Sequence, residues 1–257
     1  MCVWFGGLRD VKSSDEYAIE TFQLTKYYGS LLAVNQVNLK VKKGEIHGLV
    51  GPNGAGKTTI LKILCGILKP SSGDAKILRY SVLREPIKVK SLIGYIPERI
   101  YTYDALTVIE FLRFIGQLYQ IPKDTLSLRI EKYMKMFELE DYKDFFLDTL
   151  SKGLLQRVMV VSLFIREPKV YILDEPFYGL DPHSSWMFKK LLKEKVKEGA
   201  SVLLSTHILE VVERFADTIT IIDRGKIIAE GVLEELKKKT GENRSLEAVF
   251  LKLTGGL

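Results

Sequence analysis

Three short apolar stretches recur along the chain: Glu45-Ile46-His47-Gly48-Leu49-Val50, Val170-Tyr171-Ile172-Leu173 and Ser201-Val202-Leu203-Leu204-Ser205. Runs of this length without a polar face read as strands covered on both sides. Helical spacing appears between them. Apolar residues at 60, 61, 63, 64, 67 and 68 predict a helix from Thr58 to Leu68, and a second is predicted from Ser184 to Glu198. Thr218-Ile219-Thr220-Ile221-Ile222 and Lys226-Ile227-Ile228-Ala229 flank Asp223-Arg224-Gly225, a hairpin pattern. Strand, helix, strand alternation predicts an α/β domain with a largely parallel core sheet.

Around that core the texture changes twice. Residues 1 to about 17 read as a poorly ordered tail, and Tyr17 to Val41 as two or three strands broken at Gly29-Ser30. Pro70-Ser71-Ser72-Gly73-Asp74 is expected to end the first helix, with a further strand pattern through Leu83. Residues 99 to 149 form a helical insertion between the two core halves. Thr107 with Glu110 makes a capping box that opens a helix to about Gln120. Its stripe is 108, 111, 112, 115, 118 and 119, while Ile109 and Phe114 lie off it, surplus apolar surface for core or for a partner. A second amphipathic helix is predicted near 126–137, and a helical end from 232 to 257.

Charge and cysteine content alter this picture little. The net charge of +6 lies largely in short runs such as Lys189-Lys190 and Lys237-Lys238-Lys239, read as solvated faces. Two cysteines, Cys2 and Cys65, make no disulfide framework and fit a reducing compartment. No stretch is long and apolar enough for a membrane span, and the first residues lack a secretion-signal pattern.

The chemistry concentrates at Gly51-Pro52-Asn53-Gly54-Ala55-Gly56-Lys57-Thr58-Thr59, which matches G-x-x-x-x-G-K-[ST] between a strand and a helix. Glycines at 51, 54 and 56 let the backbone curl so that successive N–H groups, with those of Asn53, Ala55 and Thr59, face one anion. Lys57 is expected to reach the terminal phosphates of a bound nucleotide, and the Thr58 hydroxyl to ligate Mg²⁺. Asp174 and Glu175 end an apolar strand, where adjacent carboxylates need partners or a cation. Asp174 fits the acid that holds Mg²⁺, and Glu175 the base that takes a proton from, or orients, the attacking water.

With these residues, the chain from about 18 to 235 resembles the ATP-binding subunit of ABC transporters. Leu150-Ser151-Lys152-Gly153-Leu154-Leu155-Gln156-Arg157 resembles the family's signature, Gly179-Leu180-Asp181-Pro182 its D-loop and Ser205-Thr206-His207 its switch histidine. The resemblance implies a P-loop core, an antiparallel N-terminal β subdomain, a helical subdomain inserted at about 99–156 and a C-terminal extension at 236–257. It implies ATP and Mg²⁺ as ligands, and a head-to-tail pair in which Ser151 and Gly153 of one copy close on the ATP of the other. His207 would then hold the γ-phosphate and water geometry, and Asp181 would help position the opposite site. Tyr28 stands where the family stacks an aromatic ring on adenine; Tyr27 is its competitor for that role, and packing on the sheet is the other reading of Tyr28.

Two departures stand out. Lys152 and Leu154 replace a glycine and a glutamine of the signature, and Glu98 stands where the family carries the Q-loop glutamine. Glu98 is either a hard oxygen ligand for Mg²⁺ or a surface carboxylate. The resemblance implies a separate membrane permease as partner, a second ATP-binding subunit, no nucleic acid, and a peripheral place on the cytoplasmic face of the membrane. Tail and signature resemble exporter-type (ABC-2-type) subunits, so export is expected. The alternative is an ABC-type ATPase acting on ribosomes or nucleic acid, whose relatives usually join two such domains or carry long coiled coils.

Overall fold

The computed structural model describes residues 16–100, 103–242 and 245–255. The first half contains β1 (Tyr17–Tyr28), β2 (Leu31–Val37), β3 (Lys40–Lys42), β4 (Ile46–Val50), α1 (Lys57–Leu64), β5 (Ser72–Ile77), β6 (Tyr80–Ser81), α2 (Pro86–Leu92) and β7 (Ile93–Ile96). Next come α3 (Val108–Leu118), α4 (Lys123–Met136), α5 (Lys152–Arg166), β8 (Val170–Asp174) and α6 (Pro182–Lys197). The chain continues with β9 (Ser201–Ser205), α7 (Leu209–Phe215), β10 (Thr218–Asp223), β11 (Lys226–Gly231), α8 (Leu233–Thr240) and α9 (Leu246–Thr254).

The core sheet runs β11-β10-β4-β9-β8-β7, parallel throughout except for the β10–β11 hairpin. Its central strands β4, β8 and β9 are buried at every residue. Alternate side chains go to opposite faces. Val170, Ile172 and Leu203 pack toward α1 and the N-terminal strands, whereas Tyr171, Leu173, Val202 and Leu204 pack toward the helices of the insertion and α6. The second sheet, β2-β1-β5-β6 with β3 on β1, is antiparallel in every pair.

Phe164 on α5 joins the helical insertion to this core. Its ring lies 5.6 Å from Tyr133 of α4, 5.8 Å from Tyr171 of β8 and 5.7 Å from Phe188 of α6. Such pairs add about 0.5–1.5 kcal/mol each beyond the area they bury. On the far side, Leu246 and Val249 of α9 are buried with Val212 of α7 and Ile219 and Ile221 of β10. Glu213 of α7 accepts the Leu246 N–H at 3.1 Å, and a Cβ at Gly48 would lie 2.4 Å from Val212, so α7 rests directly on β4.

Several boundaries differ from expectation, each for a local reason. The first helix stops at Leu64, not Leu68, because Gly66 adopts φ +64°. Gly66 N–H then donates to Ile63 O and Ile67 N–H to Lys62 O, a Schellman closure. The pattern through Leu83 is a hairpin, β5 and β6, with Leu78 at positive φ in its turn. Tyr17 lies in β1 and Glu16 O accepts the Lys43 N–H at 2.9 Å, while residues 1–15 of the expected tail fall outside the described residues. Helix α4 starts at Lys123, ahead of the expected 126, with Pro122 as its N-cap residue, whereas α8 starts at Leu233, as the helical end expected from 232 requires. Of the two off-stripe residues of α3, Ile109 packs on the core and Phe114 is part exposed against Tyr103.

Candidate nucleotide site

The carboxyl ends of three neighbouring strands, β4, β9 and β8, deliver the chemistry to one place. This is where open α/β sheets bind ligands. Strand β4 runs into the glycine-rich loop, β8 ends in Asp174 and Glu175, and β9 leads to Thr206 and His207. They open on a cleft of about 1390 Å³.

Within the loop, geometry requires glycine at two positions. A Cβ at Gly51 would lie 2.2 Å from the Ile222 carbonyl oxygen, and one at Gly56, which has φ +105°, 2.5 Å from that of Ala33. Lys57 lies under the loop and donates to the carbonyls of Gly51 at 2.6 Å and Pro52 at 3.1 Å. Burial lowers the pKa of its ammonium, opposed by the carboxylates of Glu175, Asp174 and Glu98. Gly51 itself does not line the cleft; it lends its carbonyl to Lys57.

Thr58 donates its hydroxyl to Asp174 Oδ2 at 2.7 Å. Asp174 is 1% exposed, and burial raises its pKa, the charges of Glu98 and Glu175 acting the same way against the Thr58 hydrogen bond. Hydroxyl and carboxylate side by side at a phosphate loop are a hard-oxygen donor pair. Among the described residues no three His, Cys, Asp or Glu gather into a cage that could hold a metal ion. A partial oxygen shell fits Mg²⁺, which keeps waters and shares phosphate oxygens, and Thr58 and Asp174 would hold it.

Glu175 sits at φ +48°, a backbone state its side chain does not favour, and its N–H donates to Ser205 O at 2.8 Å. Its Oε1 accepts the His207 backbone N–H at 2.8 Å and lies 2.7 Å from Nδ1, which must carry the ring proton to donate to an ionised carboxylate. Its Oε2 accepts the Thr206 hydroxyl at 2.8 Å. Both carboxylate oxygens are therefore oriented by two consecutive residues of the neighbouring strand end.

The structure thus brings Tyr28, Asn53, Gly54, Ala55, Gly56, Lys57, Thr58, Thr59, Glu98, Asp174, Glu175 and His207 around one cleft. Tyr28 lines it with Leu31, and Tyr27 does not. Ser151, Gly153 and Asp181 do not line it. Ser151 caps α5 by accepting the Leu154 N–H at 3.2 Å, and a Cβ on Gly153 would lie 2.8 Å from Gly179 O. Asp181 caps α6 through Ser184 N–H at 3.0 Å and pairs with Arg157 at 2.7 Å. Burial pulls the Asp181 pKa upward, but Ser184 and Arg157 outweigh it and hold the carboxyl well below the usual range. Lys152 does reach the rim of the cleft, as do Arg99 and Tyr178, to which the sequence assigns no role. His47 is buried between Glu45 and Thr220, away from the cleft.

The family described as ABC transporter matches residues 34–178, more than half of the chain. The chain belongs to the ABC transporter family. The ABC-type transporter ATP-binding protein EcsA of Bacillus subtilis is 35% identical over 232 residues, 90% of this chain and 94% of that one. The daunorubicin resistance ATP-binding protein DrrA3 of Streptomyces coeruleorubidus is 34% identical, over 85% of this chain and 69% of its own. A solved ATP-binding subunit of an ABC transporter superposes with TM-score 0.88 at 34% identity, covering 92% of this chain and 99% of that one. A cassette solved as a dimer in a post-hydrolysis state, bound to ADP and Pi, superposes with TM-score 0.76 at 26% identity, covering 84% and 98%. This ABC protein is an ATP hydrolase with the P-loop α/β fold. The alternative of a ribosome or nucleic-acid ATPase is not favoured by relatives named as transporter proteins.

Proposed function

We propose that this ABC subunit powers export through a separate membrane permease, working in head-to-tail pairs at the cytoplasmic face of the membrane. The unit that does so spans residues 18–235, with its helical subdomain at about 99–156. The observation that carries the reading is Glu175, oriented on both oxygens by Thr206 and His207 beside the Thr58–Asp174 pair. Tyr28 stacks on the adenine, and Asn53, Gly54, Ala55, Gly56 and Thr59 cradle the phosphates. Lys57 exchanges its carbonyl partners for phosphate oxygens. Glu175 accepts the proton of the attacking water, and His207 keeps water and γ-phosphate aligned. Thr58 and Asp174, with Glu98 as a further oxygen donor of the cleft, would hold Mg²⁺, which would supply charge neutralisation for the phosphates.

Ser151 and Gly153 do not line the cleft of their own loop, although Lys152, Leu155 and Gln156 of the same helix do. Their helix end serves a second copy, with Asp181 at the shared face. No described helix is long and apolar enough to cross a membrane. The exposed Tyr103, Phe114 and Leu118 at α3 form the surface offered to the permease. Export rests on relatives such as the daunorubicin resistance protein.

The test is light scattering of the Glu175→Gln protein with MgATP, with and without Ser151→Arg. Pairing is expected for the first and monomers for the second. Monomers in both overturn the paired engine. Capture of a membrane polypeptide from solubilised membranes is the expected companion result.

A further inference from the structure

A second cleft, of about 640 Å³, lies between α6 and α7, on side chains that play no part in the nucleotide site. Five cations line it: Lys189, Lys190, Lys193 and Lys197 on α6, and Arg214 on α7. Among the described residues none of the five has a carboxylate within ion-pair distance. The same helix shows what neutralisation looks like: Lys195 is held by Glu198 at 2.7 Å and Glu167 at 3.2 Å.

Three of the four cleft lysines lie over aromatic rings instead. Lys189 is 4.7 Å from the Phe177 centroid, Lys190 5.4 Å from Trp186 and Lys193 5.5 Å from Phe215. Burial also lowers the pKa of Lys189. Val211 and Phe215 give the cleft an apolar floor, and Trp186 stands 56% exposed at its edge. Lys189, Lys193 and Lys197 recur every fourth residue, a row about 12 Å long on one side of the helix.

Unneutralised cations above an apolar floor call for a ligand that is both acidic and apolar. Glu194 and Glu210 also line the cleft. Two carboxylates among five cations disfavour a polyphosphate or nucleic acid, which carries a charge at every repeat. They suit a polypeptide, whose acidic side chains are spaced by apolar ones and whose backbone N–H groups need acceptors. We propose that the α6–α7 cleft is a docking site for an acidic, apolar-alternating segment of a partner protein. The segment lays its carboxylates on the lysine row and its apolar side chains on Phe215 and Trp186.

Trp186 reports on its own site. The sequence has two tryptophans, Trp4 and Trp186, so Trp4→Phe leaves a single fluorophore at the cleft. The probe is a capped peptide of about eight residues alternating Glu and Leu, long enough to span the row when extended. Its Gln–Leu counterpart is the control, and the titration is done at physiological ionic strength. The expected result is a saturable change in Trp186 emission with the Glu peptide and none with the Gln peptide. Affinity is expected to fall about tenfold in the Lys190→Glu/Lys193→Glu variant, as for charges reversed across a complementary contact. Both lysines are exposed, so that variant keeps its melting temperature and ATP turnover. The proposal is overturned by no saturable change at millimolar peptide or by equal binding of the two peptides. Tighter binding of inorganic triphosphate, an oligonucleotide or phosphatidylglycerol vesicles overturns it too. No step of the titration uses ATP, so its outcome is separate from that of the transport reading.

Discussion

His207 donates twice to one oxygen of Glu175, from its backbone N–H at 2.8 Å and from Nδ1 at 2.7 Å. With Thr206 on the other oxygen, this is a carboxylate fixed in direction before any substrate is considered. Glu175→Gln keeps the size of the side chain and an oxygen for the His207 N–H but removes the base. Turnover is expected to fall by about 10²–10⁴-fold, the usual contribution of a general base. ATP affinity and melting temperature stay near those of the parent. Phosphate release in a single turnover, beside an ATP titration, checks both halves; parental turnover removes Glu175 from the mechanism.

Gly56→Ala tests the loop. The new methyl would meet the Ala33 carbonyl oxygen at 2.5 Å with the backbone at φ +105°. Overpacking and strain together are expected to cost about 2–4 kcal/mol. ATP binding is expected to be lost with it. Thermal melts and a fluorescent-nucleotide titration read the two effects.

Asp181→Ala removes a helix cap and the partner of Arg157. A destabilisation of about 1–2 kcal/mol is expected at neutral pH. The native carboxyl is held below its usual range, so the stability it supplies is present above the unfolded-state value and lost as pH falls. Urea midpoints of parent and variant should keep a constant gap down to about pH 5 and converge below about pH 4. A gap that widens in acid contradicts the assignment.

Glu98→Gln removes a charge from the cleft shared with Asp174 and Glu175. The Mg²⁺ concentration for half-maximal ATPase is expected to rise about three- to tenfold, a plausible scale for one carboxylate near a divalent ion. An unchanged Mg²⁺ curve returns Glu98 to the surface.

Some of this was legible in the residues and some was not. The central strands could be read because burial on both faces leaves uninterrupted apolar runs, as in Val170–Leu173. The phosphate loop was visible because its chemistry is local. The end of α1 was missed because apolar spacing continues to Leu68 while Gly66 turns the backbone. Thr206 as a holder of Glu175 was beyond reach. It depends on the β8–β9 register, which sets Asp174 opposite Ser205 and so brings the next residues of each strand together. The approach of Gly153 to Gly179 is likewise a tertiary fact, with 25 residues of chain between them (179 − 153 − 1).

The contact between Glu213 and the Leu246 N–H has a practical side. Helix α7 starts two residues after His207 (209 − 207) and is wedged between β4 and α9. A change that loosens α9, such as Val249→Ala, is therefore expected to disturb the footing of the histidine, and its effect on turnover would be mistaken for chemistry.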